Sequence, residues 1–360
     1  MLTQKRIYRL DVLRGVAILL VLGRHMPSSF LSLPDCLLPV FVMWQRIGWT
    51  GVDLFFVLSG FLVSGLLFQE YREHGSIRLV RFFLRRGFRI YPSFYFMLGV
   101  TVFFLAYQLT FDRVLIEVFF LQSYFNQRAV WAHTWSLAVE EHFYLFIGLL
   151  LLLLSKRRGP DPFRLMPFIM LAVGLLCPWG RFLVPYKISP PFVPSHLRLD
   201  SLLFGTLLSY GHHFHRQRLE SFVRSHRRLI GYASAGLIAP CFFLEIEMVP
   251  FISQFGLTFL YLGYGGFLLL MLYSDPLGKP QAWESVIAAI GVRSYTMYLW
   301  HVPILNIVKH PLRALIGGPL PFAAEFFIYS AGSMAMGFYL YNALEQPVLR
   351  WRDRRFPSLA

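Results

Sequence analysis

Charge is what this chain has least of. Asp, Glu, Lys and Arg make up 15% of its 360 residues, against about 25% in ordinary soluble domains. Acidic residues are the scarcer half, 19 against 34 Lys and Arg. Only three cysteines occur, Cys36, Cys177 and Cys241, far apart. That excludes a disulfide framework and offers no metal-ligand spacing, so no metal is expected. There is no internal repeat, no low-complexity stretch and no Gly-x-Ser-x-Gly elbow. No small-x-small cleavage site follows the first apolar run, so that run is expected to be retained.

Apolar residues fill the space that charge leaves. They account for 56% of the chain, and they come in windows of about 17–25 residues, the length that crosses a bilayer. The fold class is therefore all-α, a polytopic membrane protein. Ten spans are expected, near residues 10–31, 51–68, 90–109, 135–154, 164–182, 196–210, 229–244, 250–273, 285–308 and 322–344. A further apolar stretch around 113–122 is too short to span and reads as a re-entrant or interfacial helix. Residues 1–350 form one membrane domain, and 351–360 are a basic tail. Lys and Arg are roughly threefold richer in the loops on the side of the two termini, which places both termini in the cytoplasm. A net charge of +15 spread over such short loops points to lipid headgroups or an anionic co-substrate. It does not point to nucleic acid.

The expected first span, Arg9 to Met26 at its core, carries Asp11, Arg14, Arg24 and His25. Charge in a membrane helix is costly and is usually functional. Arg14 and His25 stand eleven residues apart, on one helical face and about 16 Å apart along the axis. Topology then sorts the other intramembrane polar residues into two layers. The outer layer holds His25, Asp53, His133, Glu140, Arg198, Asp200 and His301. The inner layer holds Arg14, the Arg81–Arg89 cluster and Glu345. Asp53, Arg198 and Asp200 also fit an ion-pair network that only fixes helix packing. The cluster His212, His213 and His215 falls in a basic loop and reads as solvated.

A histidine beside a carboxylate suits general base catalysis on a hydroxyl. A ring of arginines suits a polyphosphate, because guanidinium binds phosphate through two parallel hydrogen bonds. On this reading His25 is the base, Glu140 or Asp53 orients it, and Arg14, Arg86 and Arg89 hold the phosphates. Direct transfer and a covalent acyl-enzyme both remain open.

Seven motifs occur in order: Arg14-x10-His25; Gly51-Val-Asp-Leu-Phe-Phe-Val-Leu-Ser-Gly-Phe61; Arg86-Gly-Phe-Arg-Ile-Tyr-Pro92; His133-Thr-Trp-Ser-Leu-Ala-Val-Glu140 with Phe143-Tyr144; Arg198-Leu-Asp200; Ser294-Tyr-Thr-Met-Tyr-Leu-Trp-His301; and Glu345-Gln-Pro347. Together they make the chain resemble the membrane acyltransferase-3 family, O-acylases of surface polysaccharides, Nod factors and macrolides. The resemblance implies transfer of an acyl group, usually acetyl from acetyl-CoA, to a hydroxyl of a carbohydrate or lipid-linked glycan at the cytoplasmic (inner) membrane. It also implies that Arg14, His25, Arg86 and Arg89 are functional, with His133, Arg198, Asp200, Tyr295 and His301 binding substrate or supporting the site. Some members carry an added SGNH hydrolase-like domain, and none is expected here. The competing reading is a proton-coupled transporter of a small solute, since intramembrane His, Asp and Glu also build proton relays. Repeat halves and broken midplane helices would favour it, and the sequence shows no repeat.

Overall fold

The computed structural model describes residues 8–27, 33–184, 193–244, 246, 249–274 and 281–357. Most of the expected amino-terminal tail lies outside these residues, as do 185–192 of the proline-rich loop, 275–280 of a polar loop and the last three residues. Among the described residues every regular element is helical.

The elements run α1 (Tyr8–Arg24), α2 (Leu38–Gly48), α3 (Gly51–His74), α4 (Leu79–Leu105), α5 (Phe111–Val118), α6 (Trp135–Ser155), α7 (Met166–Leu183) and α8 (Leu199–Phe214). They continue with α9 (Arg216–Ser225), α10 (Arg227–Ile238), α11 (Pro240–Phe243), α12 (Leu257–Tyr273), α13 (Ala282–Val292), α14 (Ser294–Ile316), α15 (Phe322–Leu340) and α16 (Gln346–Arg355). Five stretches are long and apolar enough to cross a membrane: Leu38–His74, α4, Ala132–Ser155, α7 and Ile252–Tyr273. The chain is a multi-pass membrane protein.

Four of the other five expected spans fall short for visible reasons, and the fifth, 322–344, forms the 19-residue α15 with Glu325 in its first turn. Helix α1 is 17 residues long and carries Asp11, Arg14 and Arg24. Helix α8 has 16 residues. The expected span 229–244 breaks between α10 and α11, where Pro240 removes a backbone donor. The expected span 285–308 breaks at Arg293, which caps both α13 and α14. Three expected loops are helical instead, among them the basic loop 212–228, which holds the end of α8 and all of α9. Residues 38–48 form α2, which runs almost directly into α3. Helix α4 starts at Leu79, eleven residues before the expected span, so Arg81, Arg85, Arg86 and Arg89 are helical.

Helix α3 sits at the centre and packs against α1, α6, α8 and α12. Its crossing with α8 depends on a glycine from each helix. A Cβ at Gly60 would lie 1.9 Å from the Leu202 carbonyl oxygen, and one at Gly205 would lie 2.2 Å from that of Val57. Helices α1 and α13 repeat the arrangement. A Cβ at Gly291 would lie 1.8 Å from the Asp11 oxygen, and one at Gly15 would lie 2.2 Å from that of Ile287. Small residues at such crossings let backbones approach closely, which is how membrane helices gain packing energy. Helix α3 ends at Gly75 and α14 at Gly317, both with positive φ, 68° and 73°, the left-handed geometry of a helix C-terminus.

Gly205→Ala should therefore force α3 and α8 apart, at a cost of about 1–3 kcal/mol. Thermal unfolding of the detergent-purified protein reads this directly. An unchanged transition would mean that the crossing is not closely packed.

Candidate active site

Three arginines of the inner layer face one cavity. It offers a volume of about 120 Å³, and its lining includes Arg14 from α1, Arg86 and Arg89 from α4, Glu140 and Tyr144 from α6, and Ser294, Tyr295 and Tyr298 from α14. The three arginines are thus gathered, as their clustering in sequence suggested, but they are not equivalent. Arg89 is ion-paired to Glu345. The Glu345 side chain is buried and also accepts from Thr296 Oγ1 at 2.6 Å. Arg14 lies 3.7 Å from Asp11. Arg86 is the least committed, since its Nε is buried without a hydrogen-bond partner.

Glu140 does not meet His25. It accepts from the Tyr144 hydroxyl at 2.9 Å, and Ser59 lies 3.0 Å from that same hydroxyl. This carboxylate faces the arginine cavity. Tyr295 is held by its hydroxyl, which donates to the Ile90 carbonyl at 2.7 Å, and its ring lies 5.9 Å from the Arg89 guanidinium carbon.

Two of the lining residues, Ser136 and Tyr298, form a hydrogen-bonded pair. Ser136 and the Tyr298 hydroxyl are 2.5 Å apart, and Tyr298 donates onward to the His133 carbonyl at 2.5 Å. Near this pair three histidines come together. His25 and His301 have ring centroids 5.0 Å apart, His133 and His301 4.8 Å, and His25 and His133 6.3 Å. His133 and His301 are buried, whereas His25, the residue just after α1, is exposed.

The contacts fix the tautomers of the neutral pair. His301 Nδ1 lies 2.6 Å from the Tyr298 carbonyl oxygen, so it carries the proton and its Nε2 is an acceptor. His25 Nδ1 faces that Nε2 at 3.2 Å and the Val21 oxygen at 3.2 Å. Both are acceptors, so His25 Nδ1 is protonated and its Nε2 carries the lone pair. The group that orients His25 is therefore His301. Neither ring nitrogen of His133 makes a well-formed hydrogen bond, although the Leu299 backbone approaches the ring.

Asp53 meets an arginine rather than His25. Asp53 Oδ1 accepts from Arg198 Nη2 at 2.7 Å and from Ser201 Oγ at 3.2 Å. Arg181 Nη2 donates to Asp200 Oδ2 at 2.9 Å. All four charged side chains are buried, which ties α3 to α8 and α7 to α8. A carboxylate already neutralised by guanidinium has little left to offer an imidazole. Arg198 still keeps Nε and Nη1 unpartnered, over the rings of Phe56 and Trp135. The expected loop histidines are structural. His212 Nδ1 lies 2.7 Å from the Tyr273 hydroxyl, and His213 Nδ1 lies 2.8 Å from the Ser209 oxygen.

Sequence reasoning missed Tyr298, Arg181, Glu117 and the role of Glu345. Tyr298 stands inside the Ser294–His301 motif. Arg181 was visible as a lone arginine late in an apolar helix. Nothing local singles out Glu117. Asp53→Ala should cost about 3–5 kcal/mol, because it leaves Arg198 buried without its partner. Replacing both, by Asp53→Leu with Arg198→Met, should restore most of that loss. Thermal unfolding of both variants decides it, and a single variant as stable as the wild type would reject the pairing.

Three comparisons bear on this geometry. A model of the acyltransferase domain family matches residues 7–342. The peptidoglycan O-acetyltransferase OatA of Listeria monocytogenes is 28% identical over 342 residues, covering 85% of this chain and 50% of that protein. The O-acetyltransferase OatA of Staphylococcus aureus is 27% identical over 379 residues, covering 98% and 58%. A putative O-acetyltransferase of S. aureus, SAR0937, is 26% identical over 392 residues. The chain spans about half to three-fifths of the length of these relatives. No solved structure matches it. The family model covers nearly the whole chain and takes in both the arginine cavity and the histidine cluster, so this protein belongs to the acyltransferase domain family.

Proposed function

We propose that this chain is a membrane O-acetyltransferase that moves an acetyl group from acetyl-CoA to a hydroxyl of a cell-envelope glycan. One observation carries the reading. Arg14, Arg86 and Arg89 line the same cavity as Tyr298 and Ser136, and Tyr298 in turn touches His133 and His301 of the histidine cluster. Phosphates favour the arginine end, and a base that deprotonates a hydroxyl favours the histidine end.

Arg86 and Arg14 bind the phosphates of CoA. Arg89 contributes less, since Glu345 already neutralises it. The pantetheine arm lies along the cavity and brings the thioester toward Tyr298, within the ~16 Å that separates Arg14 from His25 along α1. The acceptor reaches His25 from its exposed side. His25 Nε2 takes the hydroxyl proton as the oxygen attacks the thioester carbonyl. The tetrahedral centre then collapses, the carbon–sulfur bond breaks, and CoA leaves as the thiol with that proton. His301 keeps His25 in the productive tautomer. His133, whose ring nitrogens make no well-formed hydrogen bond within the chain, hydrogen-bonds the acceptor. The relatives named as O-acetyltransferases, one of them of peptidoglycan, support acetyl as the group and a glycan as the acceptor. The reading also retains ten spans in the cytoplasmic membrane, with both termini inside and the arginine end of the cavity facing the cytoplasm.

Purified protein, with both faces open to solution, is incubated with radiolabelled acetyl-CoA and a panel of envelope glycans. Transfer by the wild type is expected. His25→Gln keeps a hydrogen bond but supplies no base, and it should lower turnover about 10²–10⁴-fold with acetyl-CoA binding intact. Arg86→Ala should instead weaken acetyl-CoA binding. Near-normal turnover by His25→Gln would sink the mechanism. Topology has a separate check: reporter fusions at Arg157 and Leu315 should report opposite sides, and the same sidedness would reject ten spans.

A further inference from the structure

Helix α5 is too short to cross a bilayer, yet it carries a fully buried carboxylate, Glu117. Among the described residues no cation pairs with it. It is instead surrounded by donors from the chain segment that follows. Glu117 Oε1 accepts from the backbone N–H of Val130 at 3.1 Å and of Trp131 at 3.2 Å. Thr134 Oγ1 lies 3.1 Å from Oε1 and 3.0 Å from Oε2, and Gln122 Nε2 donates to Oε2 at 3.2 Å.

One turn earlier on the same face stands Arg113. It grips the same segment through the opposite backbone groups. Its Nε donates to the Arg128 carbonyl at 3.1 Å and its Nη2 to the Ala129 carbonyl at 3.1 Å. An arginine and a glutamate four residues apart thus hold the carbonyls of 128 and 129 and the amides of 130 and 131. The Trp131 indole adds an anchor on α4, donating to Thr101 Oγ1 at 3.0 Å. Two residues beyond Trp131 comes His133, whose carbonyl is fixed by Tyr298 and whose ring nitrogens make no well-formed hydrogen bond.

A second observation marks this element as held under tension. Phe120, two residues after α5, has φ 54°. A bulky residue in the left-handed region costs about 1–2 kcal/mol. Its ring stacks on Phe94, with centroids 4.7 Å apart. Such strain persists only where surrounding contacts over-determine the backbone.

We propose that α5 is a clamp on the segment 128–134 and that Glu117 is a positioning residue for the acyl transfer, holding the His133 ring where the acceptor hydroxyl arrives. This rests on the proposed role of His133 at the acceptor. Glu117 acts through His133 and touches neither donor nor acceptor. An unsatisfied buried imidazole is expensive to keep in place, and the clamp supplies the constraint that keeps it there.

Two measurements test this on the full chain in lipid nanodiscs. The first needs no acceptor. Carbethoxylation of His133 by diethyl pyrocarbonate, followed by mass spectrometry, reports its placement. Glu117→Gln keeps the volume but turns amide hydrogens toward the donors of Val130, Trp131 and Thr134. It should raise the His133 labelling rate several-fold and leave acetyl-CoA binding unchanged. The second is a double-mutant cycle on acetyl transfer to the glycan acceptor. Glu117→Gln should lower turnover up to about 100-fold, the scale of an ångström-level misplacement. In a His133→Ala background it should add little. Arg113→Gln releases only the carbonyls and should show the same pattern more weakly, which keeps the test open if Glu117→Gln folds poorly. Unchanged His133 labelling, or an equal Glu117→Gln effect with and without His133, overturns the proposal. Wild-type protein that transfers acetyl to no glycan would reject the proposed function, and the labelling arm would still decide the clamp.

Discussion

Every charge drawn into the apolar part of this protein has to be matched, and those matches hold its helices in place. An ion buried without its partner costs several kcal/mol. Asp53 on α3 therefore answers Arg198 at the start of α8, and Arg181 on α7 answers Asp200 on α8. Arg89 on α4 answers Glu345, which lies in a short π-helical turn leading into α16. A substitution at any one of these residues strands its partner on another helix. The glycine crossings set how closely the helices approach, and the ion pairs set which helices they are.

Against that matched background the unmatched groups are informative. The ring nitrogens of His133, Nε of Arg86, and Nε and Nη1 of Arg198 are buried without well-formed hydrogen bonds. Each such donor costs about 1–3 kcal/mol if nothing arrives to meet it. On the proposed function Arg86 serves the donor cavity and His133 the acceptor side. Arg198 stands apart. Its remaining donors lie over Phe56 and Trp135, aromatic faces that partly compensate a guanidinium. Its vacancy belongs to packing rather than to chemistry.

Much of this was legible in the sequence, and the limits have physical causes. Helical phase placed Arg14 and His25 on one face of the expected first span, an inference that needs only the local repeat, whereas α1 itself ends at Arg24, one residue before His25. The clustering of Arg81 to Arg89 was plain, although reading it as a loop missed that the basic run is already helical. Partner choice was not legible. His25 meets His301 across 276 residues, Arg89 meets Glu345 across 256, and Asp53 meets Arg198 across 145. A carboxylate was the natural expectation for orienting His25, and Glu140 and Asp53 were at hand. Both are taken by nearer partners, Tyr144 and Arg198. Broken helices were legible only in part: Pro240 announced one break, whereas the break at Arg293 has no proline or glycine at its site.

The choice of histidine over carboxylate as the orienting group has a consequence on the proposed route. Before transfer the His25–His301 pair is neutral, so holding it in an apolar layer costs little beyond two satisfied hydrogen bonds. A carboxylate in the same place would need a counter-cation at rest, as Asp53 does. When His25 takes the acceptor proton on Nε2, its Nδ1–H becomes a charged donor, and the hydrogen bond to His301 Nε2 strengthens. That interaction is worth more in the transition state than in the ground state, which is the condition for it to accelerate the reaction. The Tyr298 carbonyl completes the arrangement by keeping His301 Nδ1 protonated and its Nε2 free to accept. The backbone of α14 thereby sets the tautomer of the proposed base at the end of α1, and it does so without bringing a second net charge into the layer.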